Sequence, residues 1–188
     1  YVSYRAAFDA YAEPIRSGVG LFINQDNQGD GVLQSTEIGA QYMYQARIAY
    51  SWALNFGMQF SYNQIRLNWQ DLQFFDQINL LYGFNDVFGN PNPTAELTPG
   101  SLTQGYTDLG AGAVLYSDKM YVGLGVSHLT TPKVSFYNNA ASVIPMGFSG
   151  QAGVFFGGGK KDALVVNPYA LFSTQKGFSQ LQTGIYVK

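Results

Sequence analysis

Large apolar residues alternate with small or polar ones along Trp52–Asn63. The even positions are Trp52, Leu54, Phe56, Met58, Phe60 and Tyr62, and the odd ones are Ala53, Asn55, Gly57, Gln59, Ser61 and Asn63. A period of two predicts a β-strand with one apolar and one hydrated face. Typical soluble strands stop after about five or six residues. A strand that crosses a bilayer at a tilt needs roughly nine to eleven residues of such alternation. The preceding segment repeats the pattern: Ile38, Ala40, Tyr42, Tyr44, Ala46, Ile48 and Tyr50 alternate with Glu37, Gly39, Gln41, Met43, Gln45, Arg47 and Ala49. Two consecutive strands of this length, apolar outside and polar inside, predict a transmembrane antiparallel up-and-down β-barrel of the outer-membrane type.

Nine strands are predicted in all, over 1–10, 17–25, 36–50, 52–66, 106–117, 120–131, 147–157, 163–174 and 178–187. Met120, Val122, Leu124 and Val126 form the apolar face of the sixth, and Phe148, Ala152, Val154 and Phe156 that of the seventh. No segment keeps a helical period over three turns, and no repeat or linker divides the chain, so residues 1–188 are expected to form one barrel domain. Connection lengths alternate. The links at Ser51 and Ser117-Asp118-Lys119 are tight, whereas 26–35, 67–105 and 132–146 are long; Gln175-Lys176-Gly177 is tight where a long loop is due. Outer-membrane barrels pair short periplasmic turns with longer extracellular loops, which places the long segments outside the cell.

Composition supports this reading. The chain is 46% hydrophobic and 12% charged, the charged share being about half that of a soluble domain. Mean hydropathy is -0.06, and no apolar run is long enough for a transmembrane helix. The 14 Tyr and 14 Phe suit aromatic girdles at two membrane interfaces. A secreted, soluble β-sandwich rich in Tyr and Gly is the competing reading, and strand length speaks against it. The chain has no cysteine, which excludes disulfides and thiolate metal sites. A net charge of -2 gives no electrostatic case for nucleic acid. The chain opens on Tyr1 without a signal peptide and ends in a strand-like pattern, so it is expected to be part of a longer protein, with both ends of the barrel incomplete.

Candidate chemistry is sparse. The single histidine, His128, lies at a strand end without a nucleophile-elbow pattern around it. A hydrogen-bonded interfacial histidine is the plainer reading, and a lipolytic Ser-His-Asp enzyme would rest on it alone. Asp26, Gln28, Asp30, Gly31 and Glu37 fall at positions 1, 3, 5, 6 and 12 of a calcium loop, with Leu33 at the eighth. Against a metal stand Gln at the third position and strands in place of flanking helices, and Asp, Asn and Gly are ordinary hairpin residues. No cofactor is expected. In 82–100, Pro91, Pro93 and Pro99 resist strand pairing, while Tyr82, Phe84, Val87 and Phe88 are candidates for partner contact or for packing on the barrel rim. Arg47 is the main charge expected in the lumen, with Arg66 near a strand end.

The segment Tyr106–Pro132 resembles the PorP/SprF family of Bacteroidetes outer-membrane proteins. It carries a glycine-alternating strand ending in Leu115-Tyr116, a tight turn, and a strand Tyr121-Val-Gly-Leu-Gly125 closing on His128-Leu129. Gly18-Val-Gly-Leu-Phe22 with Asp26, Tyr42-Met-Tyr44 and Gly184-Ile-Tyr-Val187 extend the resemblance over nearly the whole chain. It implies a bacterial outer-membrane component of the type IX secretion and gliding machinery. Such a component would be embedded in outer-membrane lipid, associate with the periplasmic ring, and assist export or surface anchoring of large adhesins. No catalytic residue carries over. The alternative function is a transport barrel for small hydrophobic or polar solutes.

Overall fold

The computed structural model describes residues 1–137, 142–157 and 164–188. Part of the predicted 132–146 connection, the stretch 158–162 between the seventh and eighth predicted strands, and the first residue of the strand predicted from 163 lie outside the described residues. The strands are β1 (Val2–Ala12), β2 (Ser17–Gln28), β3 (Leu33–Ala49), β4 (Trp52–Leu67), β5 (Thr103–Ser117), β6 (Met120–Ser127), β7 (Gly147–Val154), β8 (Phe156–Gly157), β9 (Val165–Gln175) and β10 (Phe178–Val187). They form one antiparallel up-and-down sheet in the order β1-β2-β3-β4-β5-β6-β7-β9-β10, with β8 also paired to β9. Among the described residues, β1 and β10 are the two free edges.

Burial is inverted relative to a water-soluble protein. On β4, Phe56, Met58, Phe60 and Tyr62 are 46–62% exposed, whereas Ser61 is 1% and Asn63 9% exposed. Among the described residues, Asn167 is also buried on the inner face and Phe22 is the buried hydrophobic side chain there, whereas the buried Ser17 lies on the outward face opposite Tyr44, its hydroxyl 3.0 Å from that of Tyr42. The concave face therefore holds the polar residues, and the convex face presents apolar side chains as a lipid-facing wall requires.

That wall has a visible limit. Toward the long-connection edge, the outward positions change from Ile23 to Gln25 on β2, from Ile38 to Thr36 on β3, and from Tyr62 to Gln64 on β4. Ile23, Ile38 and Tyr62 share one row across the three strands. The apolar band ends there, while the strands run on.

Three predicted elements differ from the observed ones. The strand expected over 120–131 stops at Ser127, because His128 and Thr131 take left-handed backbone conformations with φ of 56° and 42°. The strand expected over 147–157 is broken at Phe155. Its N–H donates to Lys119 O at 2.7 Å, one rung beyond the Met120–Val154 pair, its ring packs against Tyr121 with centroids 5.8 Å apart, and Gly157 has φ 98°. The loop expected over 26–35 shrinks to a four-residue turn, since β2 reaches Gln28 and β3 starts at Leu33 opposite it. With β7 and β8 counted as one crossing, the predicted rhythm of nine holds.

Candidate functional site

The strand register builds two rows on the inner face. Phe22, Gly39, Ser61 and Asp108 align across β2–β5, and Asn24, Glu37, Asn63 and Tyr106 form the next row. Asn24 Nδ2 donates to Glu37 Oε2 at 2.8 Å, and Asn63 Nδ2 donates to Ser61 Oγ at 3.0 Å. One row below, Gln41 Nε2 donates to Gln59 Oε1 at 3.0 Å. Glu37, Ser61, Asp108 and His128 line a concavity of about 410 Å³ whose floor is laid by Gly57, Gly110, Gly112 and Gly125. The bare floor leaves a trough along the inner wall rather than a filled core.

At the upper end of the trough His128 Nδ1 lies 2.7 Å from Asp108 Oδ2. The carboxylate is an acceptor, so this nitrogen carries a hydrogen. Thr130 Oγ1 donates to Asp108 Oδ1 at 3.0 Å and to Thr107 O at 3.1 Å, and Leu129 N–H donates to Leu109 O at 3.0 Å. Segment 128–130 is thereby clasped onto β5, which accounts for His128 as a structural tie at a strand end.

The inner face carries more charge than Arg47 alone. Arg47 does face inward, opposite Ala53, but the register adds Arg5, Asp9, Asp26, Glu37 and Asp108 to the same side. Arg66 is on the outward face near the end of β4, opposite Thr103 and beyond the apolar band.

The calcium-loop spacing is spread along a hairpin. Asp26, within β2, accepts hydrogen bonds from the Tyr1 hydroxyl at 3.1 Å and from the Ser3 hydroxyl. Gln28 ends β2, and Asp30 sits at the turn with φ 57° between two positive-φ glycines. Glu37 is engaged with Asn24. Among the described residues no group of three or more acidic or histidine side chains is placed to hold a metal ion.

The excursion between β4 and β5 is internally ordered. Its base is fixed where Asn68 N–H donates to Val32 O at 2.7 Å and Leu67 N–H to Leu102 O at 2.9 Å, and the Trp69 and Phe74 rings lie 4.9 Å apart. Asn92 and Gln77 clamp its two arms. Asn92 Nδ2 donates to Gln77 O at 2.7 Å, and Gln77 Nε2 returns a bond to Asn92 O at 2.6 Å. Asp76 accepts from the Ala95 N–H at 2.6 Å and the Thr94 hydroxyl at 3.0 Å; Asp86 accepts from the N–H groups of Asn90 at 2.9 Å and Phe88 at 2.8 Å. The Ala95 N–H above all holds the Asp76 carboxyl below its ordinary pKa, and the Asn90 N–H does the same for Asp86.

Around this polar frame, apolar side chains face outward. Of the residues singled out in the sequence, Phe88 is 85% exposed, Tyr82 and Val87 are also exposed, and Phe84 is half-buried. Leu80, Leu81, Phe75 and Leu97 are likewise exposed, each at 80% or more. Their apolar character within an Asn-, Asp- and Gln-rich stretch was the available sequence signal.

Comparisons with curated proteins and with solved structures each give no match. The family model for the type IX secretion system membrane protein PorP/SprF matches residues 1–188. Together with an all-β sheet that is apolar outside and polar inside, this match shows that the chain belongs to the PorP/SprF family of type IX secretion system membrane proteins, as an outer-membrane β-barrel chain.

Proposed function

We propose that this chain serves the type IX system as an accessory barrel, assisting export and surface anchoring of large adhesins in gliding motility. The observation that carries this reading is the β4–β5 excursion. Its frame is rigidified by Asn92, Asp76 and Asp86, yet it keeps Leu80, Leu81, Val87 and Phe88 exposed. An apolar patch on an ordered loop is the usual mark of a protein interface. Tyr82, Phe84, Val87 and Phe88 are assigned to contact with the secreted adhesin, and the short-turn edge to the periplasmic ring components. The role requires no catalysis and no cofactor, and residues 1–188 act in it as one barrel domain.

The test is gentle purification of the full-length protein from native membranes, with and without Tyr82, Phe84, Val87 and Phe88 replaced by Ser. Ring components and a large adhesin should accompany the unaltered protein. The variant should remain in the outer membrane but lose the adhesin. An adhesin that stays bound to the variant, or a solitary barrel that conducts small solutes in a planar bilayer, would overturn the proposal, the latter in favour of transport.

A further inference from the structure

Strand register sorts the charged side chains by face. Among the described strands, Arg5, Asp9, Asp26, Glu37, Arg47 and Asp108 all point inward, and Arg66 is the only charged residue on the outward face. It lies four residues past Tyr62 on β4, so it stands two rungs beyond the row where the apolar band ends. The first rung above the band is Gln25, Thr36 and Gln64; the second holds Gln34, Arg66 and Thr103. Tyr62 reaches up toward them, because its hydroxyl occupies the space that a Cβ on Gly105, opposite Gln64, would need.

These groups are unengaged. Elsewhere the polar side chains bind one another, as Asn24 does with Glu37 and Gln41 with Gln59. Among the described residues, no side-chain hydrogen bond or ion pair holds Gln25, Gln34, Thr36, Gln64 or Arg66. Gln25, Gln64, Arg66 and Thr103 are exposed. Across β2–β5 these two rungs carry no aromatic or apolar side chain, whereas protein interfaces are anchored by such groups. A polar ligand directly above an apolar wall is what this face fits.

We propose that the outward belt binds the head group of a phosphorylated glycolipid, with Arg66 on a phosphate and the Gln and Thr side chains on sugar hydroxyls. The acyl chains lie on the wall at Ile23, Ile38 and Tyr62. A guanidinium offers paired donors that match phosphate oxygens, and amides and hydroxyls both donate to and accept from sugar hydroxyls. Height selects a glycolipid over a phospholipid. At the pitch and tilt of a barrel strand Arg66 is about 10 Å beyond Tyr62, while an ordinary head-group layer is only roughly 5–8 Å deep. With the long connections outside the cell, the belt faces the outer leaflet, where phosphorylated glycolipid is the characteristic lipid of such membranes.

Native mass spectrometry of the full-length protein in mild detergent tests this. The probes are phosphorylated glycolipid extracted from the native outer membrane, the same glycolipid after phosphatase treatment, and phosphatidylglycerol. The unaltered protein should hold the phosphorylated glycolipid at least about tenfold more tightly than either other lipid, as one charge-assisted contact allows. Arg66→Gln should lose that preference, and Arg66→Lys should keep part of it. Gln25→Ala combined with Gln64→Ala, with Arg66 intact, should weaken both glycolipid forms about threefold through lost neutral hydrogen bonds. Heat-modifiable mobility on gels confirms folding of each variant, and the comparison of lipids on the unaltered protein stands without any variant. Equal affinity for the two glycolipid forms, equal retention of phosphatidylglycerol, or an Arg66→Gln protein that keeps the preference would each overturn the proposal. Loss of the adhesin from the loop variant has no bearing on this result, so the two readings fail separately.

Discussion

The ring of Phe22 occupies the space that a Cβ on Gly39 would need. The two residues pair directly across β2 and β3 on the inner face, and an added Cβ at 39 would overlap the ring atoms Cζ and Cε1. Phe22 is buried at that position, so the missing side chain on β3 is what makes room for an aromatic ring against the inner wall. Gly39→Val should lower stability by about 1–3 kcal/mol, the usual cost of overpacking. Urea unfolding of the full-length protein in lipid vesicles measures it, and adding Phe22→Ala should recover most of the loss.

The two faces of β4 should respond oppositely to charge. Phe60→Arg puts a cation on the lipid-facing wall and should cost about 2–4 kcal/mol if it sits near the bilayer midplane. Gln59→Arg, one residue away on the inner face, should cost far less, because its side chain meets the polar trough. Equal losses in the same unfolding assay would mean that the assignment of faces is wrong.

Asp108 ties the 128–130 segment to β5 through His128 and Thr130. Asp108→Ala should free that segment, with a loss on the order of 1.5–3 kcal/mol expected for a hydrogen bond to a charged group. Partial exposure of His128 favours the lower end. The Leu129 amide, which donates to Leu109 O, should exchange with deuterium at least tenfold faster, while amides in mid-β4 keep their protection.

Acid should loosen the β4–β5 excursion before it affects the sheet. Asp76 and Asp86 have pKa values lowered below 3.8 by the backbone N–H groups they bind. A carboxyl with a depressed folded-state pKa contributes stability that is full above its unfolded value and is lost as pH falls through the folded one. Limited proteolysis within 75–97 should therefore be slow at neutral pH and accelerate below about pH 3.8. In the double variant Asp76→Asn and Asp86→Asn it should already be fast at pH 7.

β4 was legible from sequence because its outward residues are large and apolar and its inward ones small or polar, and β3 because Ile38, Tyr42, Tyr44 and Ile48 alternate with Glu37, Gln41, Gln45 and Arg47. β1 and β5 are less so. Ala6-Ala7 and Gly110-Ala111-Gly112 carry almost no contrast, and the inward placement of Asp9 and Asp108 emerges only once the neighbouring strand fixes the register. The overrun past Ser127 has a similar origin. No Gly or Pro between Ser127 and Thr131 marks a stop in the sequence, and the bond that turns His128 aside comes from Asp108 on another strand. The clamp between Asn92 and Gln77 leaves no periodic trace either, because it joins two arms of an irregular loop.

The end of the apolar band at Ile23, Ile38 and Tyr62 fixes a waterline, and β4 continues past it through Leu67. Those further residues rise about 10 Å at the pitch and tilt of a barrel strand. The wall thus forms a parapet above the lipid head groups, and the excursion that starts at Asn68 stands on top of it. A large surface protein could dock there without touching the bilayer. Shortening the parapet by a rung from each of β3 and β4 would sink that platform toward the lipid while leaving every residue of the loop unchanged.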